Sequence, residues 1–172
     1  MKRTFILILF VITGLSACKK DANETAYDKS YKAWQSFKVD SKNSYTYTVN
    51  AGSIFGYGSE TKISVQNGVV VARDFLSYTL EHTPNAAPGK TIREQWHEDK
   101  ASLGQHNSGA SLLTLDQVYQ KAKTEWLAAD KKKNTIYFET NNNGMISNAS
   151  YVPNGCQDDC SIGISISEIK AL

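Results

Sequence analysis

Read from the amino end, apolar positions change their period several times. Phe5 through Ile12 is a continuous apolar run, preceded by Met1-Lys2-Arg3 and followed by Thr13 and Gly14. That run is too short for a hydrocarbon core, which takes about 20 helical residues, and a basic end before a short apolar run is the layout of a cleaved leader. After the polar stretch Lys19 to Glu24, Tyr27, Tyr31, Trp34 and Phe37 recur at spacings of four, three and three. Such spacing lines one helix face with aromatics, and Thr25 with Asp28 makes a capping box, so a helix is predicted over 26–38.

The period then drops to two. Tyr45, Tyr47 and Val49 alternate with Thr46 and Thr48 in a strand pattern, closed by the loop Ser53-Ile54-Phe55-Gly56-Tyr57-Gly58. A second strand is predicted over 61–65. Asn67-Gly68, a strong hairpin signal, leads into a long strand from Val69 that is expected to bulge near Arg73-Asp74. A turn-rich stretch at 83–89 precedes a further strand over 91–98, and residues 99–113, rich in Gly, Ser and Asn, read as an irregular connection with room for a functional loop.

Thr114 and Gln117 form a second capping box, and Leu115, Val118, Tyr119, Ala122, Trp126 and Ala129 keep helical spacing to about Asp130. Ile136 and Phe138 open another strand, Asn143-Gly144 offers a hairpin turn, and Ile162, Ile164 and Ile166 alternate in a closing strand. Hairpins demand antiparallel pairing and two amphipathic helices need one apolar face to cover. The expected class is α+β: an antiparallel sheet of about six to seven strands with two amphipathic helices packed on it, in the order helix, three or four strands, helix, three strands. The spacings of Tyr27, Trp34 and Tyr45 return in Tyr119, Trp126 and Tyr137, so a duplicated layout is one reading and coincidence the other.

Charge and cysteines add the compartment. Leu15-Ser16-Ala17-Cys18 looks like a lipobox, the pattern at which bacterial lipoprotein precursors are lipidated and cleaved. The chain divides accordingly into a leader at 1–17, a lipidated tether at 18–24 and a single α+β domain at 25–172. Each buried methylene contributes about 0.8 kcal/mol, so the two or three acyl chains such a cysteine carries hold a protein on a membrane without a spanning helix. Cleavage removes Lys2 and Arg3 and no acid, so 19 basic residues become 17 against 17 acidic ones. A neutral mature chain argues against a nucleic-acid partner and gives no basic surplus for anionic lipid. Cys156 and Cys160 are the other thiols. In an oxidising envelope they are expected to form a disulfide, with a redox pair or metal ligation as the alternatives.

Catalytic signatures are sparse. Glu139, Asn141 and Asn143 with Gly144 partly imitate a calcium loop, which Asp158 and Asp159 could supplement. The imitation ends on Ser150 where a bidentate Glu is required, so a polar hairpin turn is the competing reading. His82, His97 and His106 have no ligand spacing, and Glu94, Glu98 and Asp99 read as solvated strand ends. No nucleophile elbow, phosphate loop or dinucleotide fingerprint is present, so no catalytic residue and no cofactor are assigned. Phe55 and Tyr57, between glycines, and Trp96 on its strand are the candidate binding aromatics, with packing at the edge of the core as the alternative for the loop pair.

The runs Asn43-Ser44-Tyr45-Thr46-Tyr47, Thr114-Leu115-Asp116-Gln117-Val118-Tyr119 and Tyr151-Val152-Pro153-Asn154-Gly155-Cys156-Gln157-Asp158-Asp159-Cys160 together resemble an uncharacterised family of exported Bacteroidota lipoproteins. The resemblance implies a two-membrane envelope and an outer-membrane lipoprotein, facing the periplasm or exposed at the cell surface; Cys18-Lys19-Lys20-Asp21 loosely resembles a surface-export signal. It transfers no catalytic residue. The expected function is that of a noncatalytic, membrane-anchored module binding an envelope protein, peptide or glycan. A hydrolase acting on an envelope substrate and a calcium-stabilised structural module are the alternatives.

Overall fold

The computed structural model describes residues 25–81 and 89–172. The expected leader, Cys18 with the expected tether through Glu24, and His82 with residues 83–88 lie outside the described residues.

Helix α1 spans Ala26–Asp40 and begins as its capping box dictates. The Thr25 hydroxyl accepts from the Asp28 N–H, and the Asp28 carboxylate accepts from the Thr25 N–H. Four strands follow, β1 (Tyr45–Gly52), β2 (Tyr57–Gln66), β3 (Val69–Glu81) and β4 (Gly89–Glu98). The β2–β3 turn places Asn67 at φ 50° and Gly68 at φ 79°. Two left-handed residues in a row match the right-handed twist of the strands they join. Helix α2 (Leu115–Lys121) then runs into one π turn (Ala122–Trp126), and β5 (Asn134–Glu139), β6 (Asn148–Pro153) and β7 (Ile162–Ala171) complete the chain.

All pairings are antiparallel, in the order β4-β3-β2-β1-β7-β6-β5. β7 joins two meanders: its residues 166–171 pair with β1 and residues 162–165 with β6. Beyond Val49 and Ile166 the strands β1 and β7 part, which leaves a fork in the sheet.

One sheet face and the helices enclose the core. Tyr45, Tyr47, Ile63, Val65, Ala149, Ile166 and Ile169 meet Trp34, Leu115, Val118, Tyr119, Ala122 and Trp126, all buried. The polar tips of the aromatics are spent on fastening elements to one another. Tyr45 Oη accepts from the Leu115 N–H (2.8 Å), Tyr47 Oη donates to the Leu113 carbonyl (2.6 Å), and Trp34 Nε1 donates to Asp116 (2.9 Å). Tyr119 Oη donates to the Ser30 carbonyl and accepts from the Ile146 N–H, so no buried hydroxyl in this group lacks a partner. On the opposite face Thr48, Lys62, Asp74 and His97 form a row across four strands, joined by Lys62–Asp74 and Asp74–His97 contacts, and that face is solvated.

Two expectations are corrected. The second helix does not continue to Asp130. Thr124 Oγ1 takes the Gln120 carbonyl, the Leu127 N–H reaches back five residues to Ala122, and the helix ends in that wider turn. The β3 bulge falls at Val71 rather than near Arg73-Asp74, because Val65 pairs with Val70 while Ser64 pairs with Ala72. The extra residue puts Val70 and Arg73, three apart in sequence, on the same covered face.

Candidate functional site

Residues 99–113 fold as a strap over the covered face of β2, β3 and β4, and an ion pair holds the strap in place. Arg73 on β3 lies opposite Glu98 on β4 in register. Its Nε and Nη2 each donate to the Glu98 carboxylate at 3.0 Å, while Nη1 and Nη2 also donate to the carbonyls of Ala110 and His106. Glu98 accepts further from the N–H groups of Gly104 (3.0 Å) and His106 (2.7 Å), and His106 Nδ1 lies 3.1 Å away. The Arg73 guanidinium first, and then these N–H groups, hold the Glu98 carboxyl well below the usual carboxylate range against the opposing effect of burial.

This geometry corrects the reading of Glu98 as a solvated strand end: it is 0% exposed, with Arg73 at 5%. Both carboxylate oxygens are saturated by donors, so neither offers a lone pair to a substrate proton. Trp96 belongs to the same assembly. Its ring stacks on His106 (4.2 Å between centroids) and Phe75 (5.0 Å), the Arg73 guanidinium lies 4.8 Å from its centre, and Nε1 donates to Ser108. The structure therefore places Trp96 beneath the strap and away from Phe55 and Tyr57.

At the β1–β7 fork the strap borders a cleft of about 460 Å³, lined by Val49, Phe75, Leu113, Trp126 and Ile164. Lys121 is the one ionisable group among its described lining residues, and Glu125 already neutralises it at 2.7 Å. A walled apolar space of this size admits a small ligand but supplies no acid and base pair.

The projecting end of the sheet is different. The β1–β2 turn is closed by hydrogen bonds from the Ser53 N–H to Tyr57, from the Gly56 N–H to Ser53 and from the Leu80 N–H to Gly56, with Gly56 at φ 84°. The turn is thus tied to β3, and on it Ile54 and Phe55 are each 72% exposed and Tyr57 61%. Leu80 and Ile92, also exposed, extend the apolar surface along β3 and β4. Phe55 and Tyr57 do not cap the core.

The calcium-like stretch forms a pinned turn. Asn143 and Gly144 adopt left-handed backbone between a bridge joining Asn142 and Met145, and Asn142 Nδ2 donates inward to the carbonyls of Ile146 and Ile166. Glu139 accepts from the Asn141 amide. Asp158 and Asp159 lie in the loop closed by the Cys156–Cys160 disulfide, and among the described residues no group of three or more His, Cys, Asp or Glu is placed to hold a metal ion. Arg73 and Glu98 were invisible as a pair in the sequence. The one signal available was the covered parity that Phe75 and Trp96 set, two residues from each in opposite directions along paired strands. No protein-family model, curated protein or solved structure matches the chain.

Proposed function

We propose that this chain is a membrane-anchored envelope lipoprotein, of the exported Bacteroidota kind it resembles, that works as a noncatalytic binding module. Lipidation at Cys18 fixes it to the membrane, and the projecting sheet end takes an envelope protein, peptide or glycan. The observation that carries the binding half is the rigid turn with Ile54, Phe55 and Tyr57 turned to solvent. Apolar side chains of this size, held on a hydrogen-bonded turn, lose little conformational entropy when a partner covers them. The saturation of Glu98, and a fork cleft whose described lining holds Lys121, already paired with Glu125, as its one ionisable group, favour binding over hydrolysis.

The test is a photo-crosslinking amino acid at Ile54, on the same exposed turn, in the full chain expressed in its own envelope. A discrete adduct that disappears in a Phe55→Ser, Tyr57→Ser background supports the reading. Because both side chains are exposed, that double substitution is expected to leave the melting temperature within about 2 °C, a stability change near 0.5 kcal/mol. The absence of an adduct, together with turnover of an envelope substrate, would reject it. Mass spectrometry of Cys18 tests the anchor separately.

A further inference from the structure

The mature chain is neutral as a whole, yet its charges are unevenly placed. Where the chain enters the fold at Thr25, a groove runs between the start of α1, the π turn and β5, lined by Tyr27, Asp28, Lys123, Leu127, Lys131 and Ile136 among others. Lys131, Lys132 and Lys133 occupy the turn that leads into β5, and with Lys123 they are exposed and enter no ion pair among the described residues. The acids nearby are already committed: Asp28 caps α1 through Thr25, and Asp130 accepts from the Lys132 N–H.

We infer that this β5-edge face rests on an anionic phospholipid surface. Lys123 and Lys131–Lys133 meet the headgroups, and Tyr27, Leu127 and Ile136 sit at the boundary of the acyl region. The inference rests on the lipid anchor proposed above. Six residues lie between Cys18 and Thr25, a span of seven Cα-to-Cα steps, so the groove mouth can lie no more than about 25 Å from the lipidated residue. Within that reach each lysine near an anionic surface raises binding roughly fivefold, and the gain fades beyond a Debye length of about 10 Å. Among the described faces, this one combines proximity to the tether, unpaired lysines and an apolar floor. The β4 edge lies six strand spacings away, about 29 Å across the sheet, so this seating keeps β4 and Ile92 away from the bilayer.

The experiment uses the lipidated chain purified from cells and placed in phosphatidylcholine vesicles with or without phosphatidylglycerol. A fluorophore is carried on Thr135→Cys at the β5 edge or on Gln95→Cys at the β4 edge, and quenching by a headgroup-nitroxide lipid is read. With phosphatidylglycerol the Thr135 label is expected to be quenched at least about threefold more than the Gln95 label. High salt, phosphatidylcholine alone, or the combined Lys123→Gln, Lys131→Gln, Lys132→Gln and Lys133→Gln substitutions should each make the two labels equal. Equal quenching of the parent chain in phosphatidylglycerol vesicles overturns the inference while the anchor stands, and so does a contrast that survives both salt and the four substitutions. A chain recovered from cells without acyl on Cys18 overturns the anchor and, with it, this seating.

Discussion

Glu98 illustrates how one side chain organises its surroundings. It is buried with five donor groups around two oxygens, and the arrangement is stable only while Arg73 faces it. Removing one partner of such a pair strands a charge in the interior, so Arg73→Met is expected to cost about 3–5 kcal/mol in urea denaturation. The double change Arg73→Met, Glu98→Met should recover most of that loss, because no uncompensated charge remains. The pH dependence has a definite sign. Glu98 binds its proton more weakly in the folded chain than at its ordinary value of 4.5, so the unfolded chain takes up the proton first on acidification. The stabilisation is complete above the ordinary value and drains away as the pH falls through it towards the lower folded one. Melting temperature measured between about pH 6 and pH 3 should therefore fall, and fall less steeply in Glu98→Gln. Asp28 and Asp99 are lowered as well, by hydrogen bonds from Thr25 and Ser102 respectively, and preserve part of the slope.

Among elements, the strap depends on a glycine. Gly109 has φ 87°, and a Cβ there would lie 3.1 Å from the Phe75 ring and 3.3 Å from the Thr61 hydroxyl that holds the Ala110 N–H. Gly109→Ala is therefore expected to loosen the strap at a cost of about 1–3 kcal/mol. Hydrogen exchange should accelerate at Gly104, His106 and Ala110 and stay unchanged at Leu115. Elements governed by neighbours in the chain were legible in the sequence: both capping boxes form, and Asn67-Gly68 and Asn143-Gly144 both turn with left-handed backbone. The strap was legible only as a loop. Its anchors are hydrogen bonds between residues 33, 37 and 49 apart in sequence, and no local pattern encodes which strand a loop will cross. Phe55 and Tyr57 were visible because their turn is local, whereas alternation alone could not distinguish Trp96 under a strap from Trp96 facing solvent. The apparent repeat ends for a similar reason. Tyr45 is buried, but Tyr137 is 45% exposed because Phe138 takes the covered parity of β5.

Across the whole molecule the buried tyrosines, with half-buried Tyr27, act together. Burial pushes Tyr27 up to about 12 and raises Tyr45, Tyr47 and Tyr119 as well, so the folded chain keeps protons that the unfolded chain releases near pH 10. Stability is accordingly expected to hold up to about pH 10 and to fall above it. In an alkaline absorbance titration, these four of the nine tyrosines should ionise only as near-ultraviolet circular dichroism is lost. The same four hydroxyls bridge α1, α2, the strap and the sheet, so their late ionisation would report loss of the joint core rather than of one part. β7 gives this unity a direction in time. Among the described strands it is the one shared by the two meanders, and its partner β1 lies some 120 residues earlier in the chain. Until β7 pairs with it, β1 presents one unpaired edge, so closing the sheet waits on a contact between distant parts of the chain, the slow kind of step in folding.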